Sequence, residues 1–173
     1  MTPPPKTGTA QRMAQQCIAV RVRLINRAVT QIYEDALRHL GVTTSQMNIL
    51  IFVAFRTQAS PSEVGRMLSM EKSSVSRTTE RMREHGWLKV TDNPDGRGKR
   101  LQATKTGLAL LERAKPGWDA AQREAKALLG EMGLQSVFET ADELWKQAAE
   151  AGGETDGQDA DACQNTMKKG TPS

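Results

Sequence analysis

The sequence predicts a mainly α-helical chain carrying one small β-hairpin, and three observations predict it. Helix-start and helix-stop residues bracket two short segments between positions 60 and 86. Two alternating stretches joined by a turn-rich loop come next. Long segments with apolar residues every three or four positions flank this centre on both sides. At 173 residues the expectation is one domain with tails, or one domain plus an oligomerisation region. An aromatic share of 4% and a mean hydropathy of −0.55 leave a modest core, one that a partner subunit would complete.

Residues 1–10 hold three consecutive prolines and little to bury, and are expected to be a disordered start. A helix is expected over 11–40. Ile18, Val22, Ile25, Val29, Ile32, Ala36 and Leu40 form its stripe, Val20, Leu24, Tyr33 and Leu37 widen it, and Gly41 ends it. Thirty helical residues span about 45 Å, so a partner helix is the natural cover; the alternative is a helix wrapping its own core. A second helix, over 44–57, is nearly all apolar from Met47 to Phe55 and reads as buried core.

Ser60-Pro61-Ser62-Glu63 starts the next helix. The Ser60 hydroxyl can accept from the amide three residues on, Pro61 sits where a missing N–H costs nothing, and Glu63 can bond back. Val64, Met67 and Leu68 share one face. Ser69-Met70 make a break, Glu71 can cap a further helix running to His85, and Gly86 supplies the left-handed residue that ends it. Two short helices joined by a tight turn make a helix-turn-helix. In the second, only Val75, Thr79 and Met82 need face inward, which leaves Lys72, Ser73, Ser74, Ser76, Arg77, Thr78 and Arg81 outward. Hydroxyls and arginines suit phosphates and base edges, although a solvated helix face carries the same residues.

The hairpin decides between them. Trp87-Leu88-Lys89-Val90 and Lys99-Arg100-Leu101-Gln102-Ala103-Thr104 alternate like strands around the loop 91–98. A basic hairpin directly after a helix-turn-helix is a wing, and a winged helix-turn-helix is expected to bind double-stranded DNA. After it, 104–129 is expected to be helical, with Leu108, Leu111, Trp118, Ala121, Ala125 and Leu128 on one side and a kink at Pro116. A last helix over 134–151 places Val137, Ala141, Leu144 and Ala148 together beside Phe138 and Trp145. From 152 onward apolar side chains thin out, and a disordered tail is expected over 152–173.

These pieces, in this order, resemble the MarR family of bacterial transcription regulators. The likeness rests on Glu63-Val64-Gly65, Lys72-Ser73-Ser74-Val75-Ser76-Arg77, Arg83-Glu84-His85-Gly86-Trp87-Leu88, Asp92-Asn93-Pro94-Asp95-Gly96-Arg97 and Thr104-Lys105-Thr106-Gly107, and extends in element order over about 12–150. Gly65 departs from the family's usual alanine and Ala103 from a larger aliphatic residue, and Gly96 and Gly98 loosen the wing tip. The resemblance implies a domain over 11–151, with dimerisation helices at 11–43 and 108–151 around the winged helix-turn-helix at 44–107. It also implies that Asp95 shapes the wing and holds Arg97, which enters the minor groove. The candidate DNA contacts are Ser60, Lys72, Ser73, Ser74, Ser76, Arg77 and Arg81, with Asp95 and Arg97 at the wing tip and Lys99 and Arg100 on the backbone. The implied protein is a homodimeric repressor on a pseudo-palindromic operator, released by a small-molecule effector of unknown identity.

The charge pattern agrees. Between 60 and 105 ten basic residues face six acidic ones, so this stretch carries the whole chain's net +4. The N-terminus lacks a signal-peptide pattern, the apolar run 49–55 is too short to span a bilayer, and the expected location is the cytoplasm. Cys17 and Cys163 suggest no disulfide framework. Cys17 near the start of the first helix is a candidate redox site, or else a small buried hydrophobe. His39 and His85 have no ligand at metal spacing, and no catalytic set or phosphate loop stands out, so neither metal nor cofactor nor enzymatic activity is expected. A redox sensor acting through Cys17 and a nucleoid-type binder without sequence preference remain open alternatives.

Overall fold

The apolar spacing of the N-terminal third makes helices, but not one unbroken helix. In the computed structural model, which describes residues 8–93 and 98–151, α1 (Gly8–Gln16) and α2 (Ile18–Leu37) meet at Cys17, whose ψ of 109° is extended. The helix expected over 11–40 is thus corrected twice. It begins at Gly8, inside the stretch expected to be disordered, and it breaks at position 17. Carbonyls freed by the break are taken up locally, since the Arg21 guanidinium donates to the Cys17 carbonyl at 3.0 Å and also to that of Gln15. A 3-10 turn over Arg38–Leu40 closes the arm at Gly41.

Helix α3 (Thr44–Phe55) opens on a capping box between Thr43 and Gln46. Its Met47, Ile49, Leu50 and Val53 are buried among Leu37, Val64, Val75, Met82, Leu88, Leu101 and Leu110, which makes it the central post of the core. Ile51 and Phe55, expected inside, point out because an apolar run longer than the helix period must cover both faces.

Helices α4 (Pro61–Met67) and α5 (Lys72–Glu84) form the helix-turn-helix. Strands β1 (Leu88–Asp92) and β2 (Lys99–Ala103) pair antiparallel from Leu88↔Ala103 to Asp92↔Lys99. The first strand is shifted from the expected 87–90 and the second starts at Lys99 as expected but ends one residue early, and the flanking residues act as joints. Gly86 takes φ 71° to end α5, and Trp87 lies half-buried against the core with its ring stacked on His85 at 4.5 Å. Thr104 donates through its hydroxyl to the Gly86 carbonyl and accepts from the Gly107 amide at 3.0 Å.

Helix α6 (Lys105–Ala151) keeps helical dihedrals through Pro116, and its one non-helical residue is Gly130, at φ 67° and ψ 173°. The proline expected to kink the helix sits in it with helical dihedrals, while the break expected between 129 and 134 falls at Gly130. Proline's fixed φ fits a helix, whereas a positive φ with extended ψ is open essentially to glycine. The buried stripe of α6 is Gly107, Leu110, Ala114, Ala121 and Ala125. Leu108 and Leu128, expected on that stripe, are exposed. Small residues bring α2 and α6 close: a methyl added to Gly117 would lie 2.9 Å from the Ala36 carbonyl. The Tyr33 hydroxyl reaches the Gln122 amide oxygen at 2.7 Å across the same seam. The expected disordered tail over 152–173 lies outside the described residues, as do residues 1–7.

Candidate nucleic-acid interface

The site starts with what α5 buries. Val75, Thr79 and Met82 are its buried residues, as the spacing requires, and the Thr79 hydroxyl is satisfied by the Val75 carbonyl at 2.8 Å. One inward stripe leaves the rest of the helix for a partner. Lys72, Ser73, Ser76, Arg77 and Arg81 are exposed and Ser74 is half-buried. The helix starts at Glu71, as expected, but without a side-chain cap, so its first amides stay open at the end nearest Lys72 and Ser73.

Not every candidate cation is equally available. No ion pair joins Lys72, Arg77 or Arg81 to any of the described residues. Lys99 pairs with Asp92 at 2.5 Å, where the two face each other across the strands. Arg100 turns inward, with 21% of its side chain exposed, and donates to Glu63 at 3.0 Å; Arg56 approaches the same carboxylate at 3.9 Å. Partial burial pushes the Glu63 carboxyl up. Bonds from the Ser60 hydroxyl and amide, with Arg100 and Arg56 nearby, outweigh that and hold it below the ordinary carboxylate value. Ser60 caps α4: its hydroxyl accepts from the Glu63 amide at 3.2 Å and its amide donates to the Glu63 carboxylate. So Arg100 fastens the wing to the Glu63 carboxylate that Ser60 holds, a role that the sequence reading did not assign. The capping pattern signalled half of it, and the ion pair 37 residues apart had no local signal.

Asp95 and Arg97 lie outside the described residues. The base of their loop is closed where the Asn93 amide donates to the Gly98 carbonyl at 3.1 Å. Between α4, α5 and the wing opens a groove of about 460 Å³, whose rim includes Arg66, Lys72, Ser76 and Lys99 over Val75 and Leu101. It lies on the helix-turn-helix and wing themselves.

Known proteins match this arrangement. A family model described as the MarR family matches residues 40–98. The multiple antibiotic resistance protein MarR of Salmonella typhimurium is 26% identical over 110 residues, covering 62% of this chain and 76% of the relative. The Mycobacterium tuberculosis transcriptional regulator MosR, solved in complex with DNA, is 30% identical with a TM-score of 0.64, and the match covers 79% of this chain and 98% of that one. A mutant MarR from E. coli complexed with operator DNA shares the fold, with a TM-score of 0.67 at 19% identity over 76% of this chain and 96% of that one. No helix among the described residues is long and apolar enough to cross a membrane.

Proposed function

The chain belongs to the MarR family of winged helix-turn-helix, DNA-binding transcription regulators, and from that premise we propose that it works as a homodimeric, sequence-specific repressor. One observation carries the reading: α5 buries a single stripe and presents Lys72, Arg77 and Arg81 exposed and without an ion pair to any described residue. A major groove about 12 Å wide admits such a helix. Serines at 73, 74 and 76 let it approach closely, while its cations neutralise phosphates and reach base edges. Arg97, held by Asp95, would enter the adjacent minor groove, and Lys99 would exchange Asp92 for the backbone. Arg100 keeps its partner Glu63 and contributes by fixing the wing.

Dimerisation is supported by apolar side chains that the single chain leaves bare. Ile18, Val22 and Leu24 on α2 are 75%, 57% and 62% exposed, and Leu128, Val137 and Leu144 on α6 are bare as well. A second copy covering them would set two α5 helices one helical turn apart, about 10 bp between half-site centres. A small-molecule effector would act by preferring the spacing that DNA does not accept. The proposed location is the cytoplasm, where the operator is.

Selection from random duplexes at about 150 mM salt tests this, and the salt must be stated because phosphate contacts make affinity depend on it. An enriched inverted repeat with centres about 10 bp apart is expected. Binding without enrichment would replace the proposal by a nucleoid-type binder, and absence of binding would refute it.

A further inference from the structure

The carbonyls that end α4 identify an unexpected partner. Val64 accepts from Leu68 at 3.0 Å, Gly65 from Met70 at 2.8 Å and Arg66 from Ser69 at 3.4 Å. The Met67 carbonyl accepts from no nearby backbone amide; the Trp145 indole N–H, 78 residues away on α6, donates to it at 3.1 Å. The turn that follows is held in an unusual conformation, with Ser69 at φ 49°. A bond to Met67 therefore bears on the joint that aims α5.

The part of α6 that carries Trp145 has one broad apolar side, which its own chain covers only in part. Leu134, Ala141, Trp145 and Ala148 are half-buried and turn toward their own chain. Val137, Phe138 and Leu144 flank that stripe at helical spacing and are exposed, as is Met132 nearer the break. Its direction is set at Gly130, whose φ and ψ are open essentially to glycine. A methyl added there meets no atom within 4 Å, so backbone conformation alone would resist it.

We propose that residues 131–151 form a latch in which Trp145, through the Met67 carbonyl, holds the angle of the reading head while the exposed apolar side chains that flank it pack on the second copy. Trp145 is a positioning residue: it touches no DNA, but it ties the helix that joins two protomers to the turn that aims α5. This rests on the DNA-reading assignment above and adds to it a route from dimer packing to operator choice.

The test compares the full chain with Trp145→Phe, which keeps an aromatic ring and loses the N–H. The probes are the duplex recovered from random selection and its scrambled counterpart, and the readout is the ratio of the two affinities. Trp145→Phe should lower the ratio about fivefold, the worth of one hydrogen bond of ordinary strength, by weakening the selected duplex alone. Dimer mass and melting temperature should stay at the parent's. Gly130→Ala, which redirects the same segment without touching α4, should lower the ratio in the parent and add nothing in the Trp145→Phe background. A Trp145→Phe ratio within twofold of the parent's, additive losses, or equal weakening on both duplexes would each overturn the latch. A parent that prefers neither duplex would overturn the DNA reading itself, and the latch with it.

Discussion

Arg100 on β2 donates to Glu63 on α4 at 3.0 Å, which joins the wing to the first helix of the helix-turn-helix. The same carboxylate closes the α4 capping box, so one side chain with 18% exposure serves two elements. Glu63→Gln keeps an acceptor for the Ser60 amide and removes the charge opposite Arg100. A loss of about 1–2 kcal/mol is expected, read as a melting temperature about 2–8 °C lower. The pH dependence has a definite sign. Glu63 sits below its ordinary value in the folded chain, so its contribution is full above the unfolded value of about 4.3 and is lost as pH falls through the lowered folded one. Stability of the parent should therefore fall more steeply than that of Glu63→Gln below about pH 4, measured by denaturant titration across pH 3–7.

Gly107 tests the joint between wing and α6. A methyl there would sit 2.2 Å from the Trp87 carbonyl oxygen, inside contact distance of rigid backbone. Gly107→Ala should cost about 3 kcal/mol and lower the melting temperature by about 6–12 °C. A calorimetric trace that overlays the parent's would show that the joint yields.

These two tests separate what the sequence made legible from what it did not. The Ser60/Glu63 box, the inward triplet Val75, Thr79 and Met82, and the Gly86 stop are set by chemistry within four residues, and sequence spacing resolves that range. Arg100 and Trp145 find partners 37 and 78 residues away, and no periodicity in the chain marks such a pair. The α6 break at Gly130 lies in the gap that the apolar spacing left between 129 and 134, whereas Pro116 advertises a kink that its own φ does not require. Cys17 breaks the first helix without glycine or proline, and the compensating donor, Arg21, is recognisable only once the carbonyls it reaches are placed.

Arg77 and Arg97 should fail differently. Arg77 is exposed on α5 and forms no ion pair with any described residue, so Arg77→Ala should leave the melting temperature unchanged and cost about 1–3 kcal/mol on the selected duplex. Arg97→Ala should cost most on duplexes whose flanks are A/T-rich, where a narrow minor groove attracts the guanidinium. Lys99→Ala should weaken all duplexes alike and lower the salt slope by about one unit. Fluorescence anisotropy over a salt series reads all three. An Arg97→Ala protein that binds like the parent would remove the wing from the interface.

Cys17 stands at the break between α1 and α2, half-buried, with its carbonyl bound by Arg21. An oxidised sulfur there would be larger and more polar at the joint between the two N-terminal helices. Peroxide treatment followed by mass spectrometry is expected to find Cys17 modified and operator affinity reduced in the parent, and affinity unchanged in Cys17→Ser. An unmodified thiol, or equal loss in both proteins, would assign Cys17 to packing.

Val22 separates assembly from folding. Its side chain is 57% exposed on α2 and takes no part in the buried core, so Val22→Glu leaves the interior of a single chain intact. In a dimer the new carboxylate would be buried against apolar partners without a counter-charge, at a cost of several kcal/mol. Light scattering should therefore give half the parent's mass at micromolar concentration, with the helical circular dichroism signal retained. Each isolated head would still hold Lys72, Arg77 and Arg81 in place but could occupy only one half-site. Affinity for the full inverted repeat should collapse toward that for a single half-site, because the effective concentration supplied by the second head is gone. A Val22→Glu protein that stays dimeric and binds the full repeat as the parent does would place the interface elsewhere on the surface.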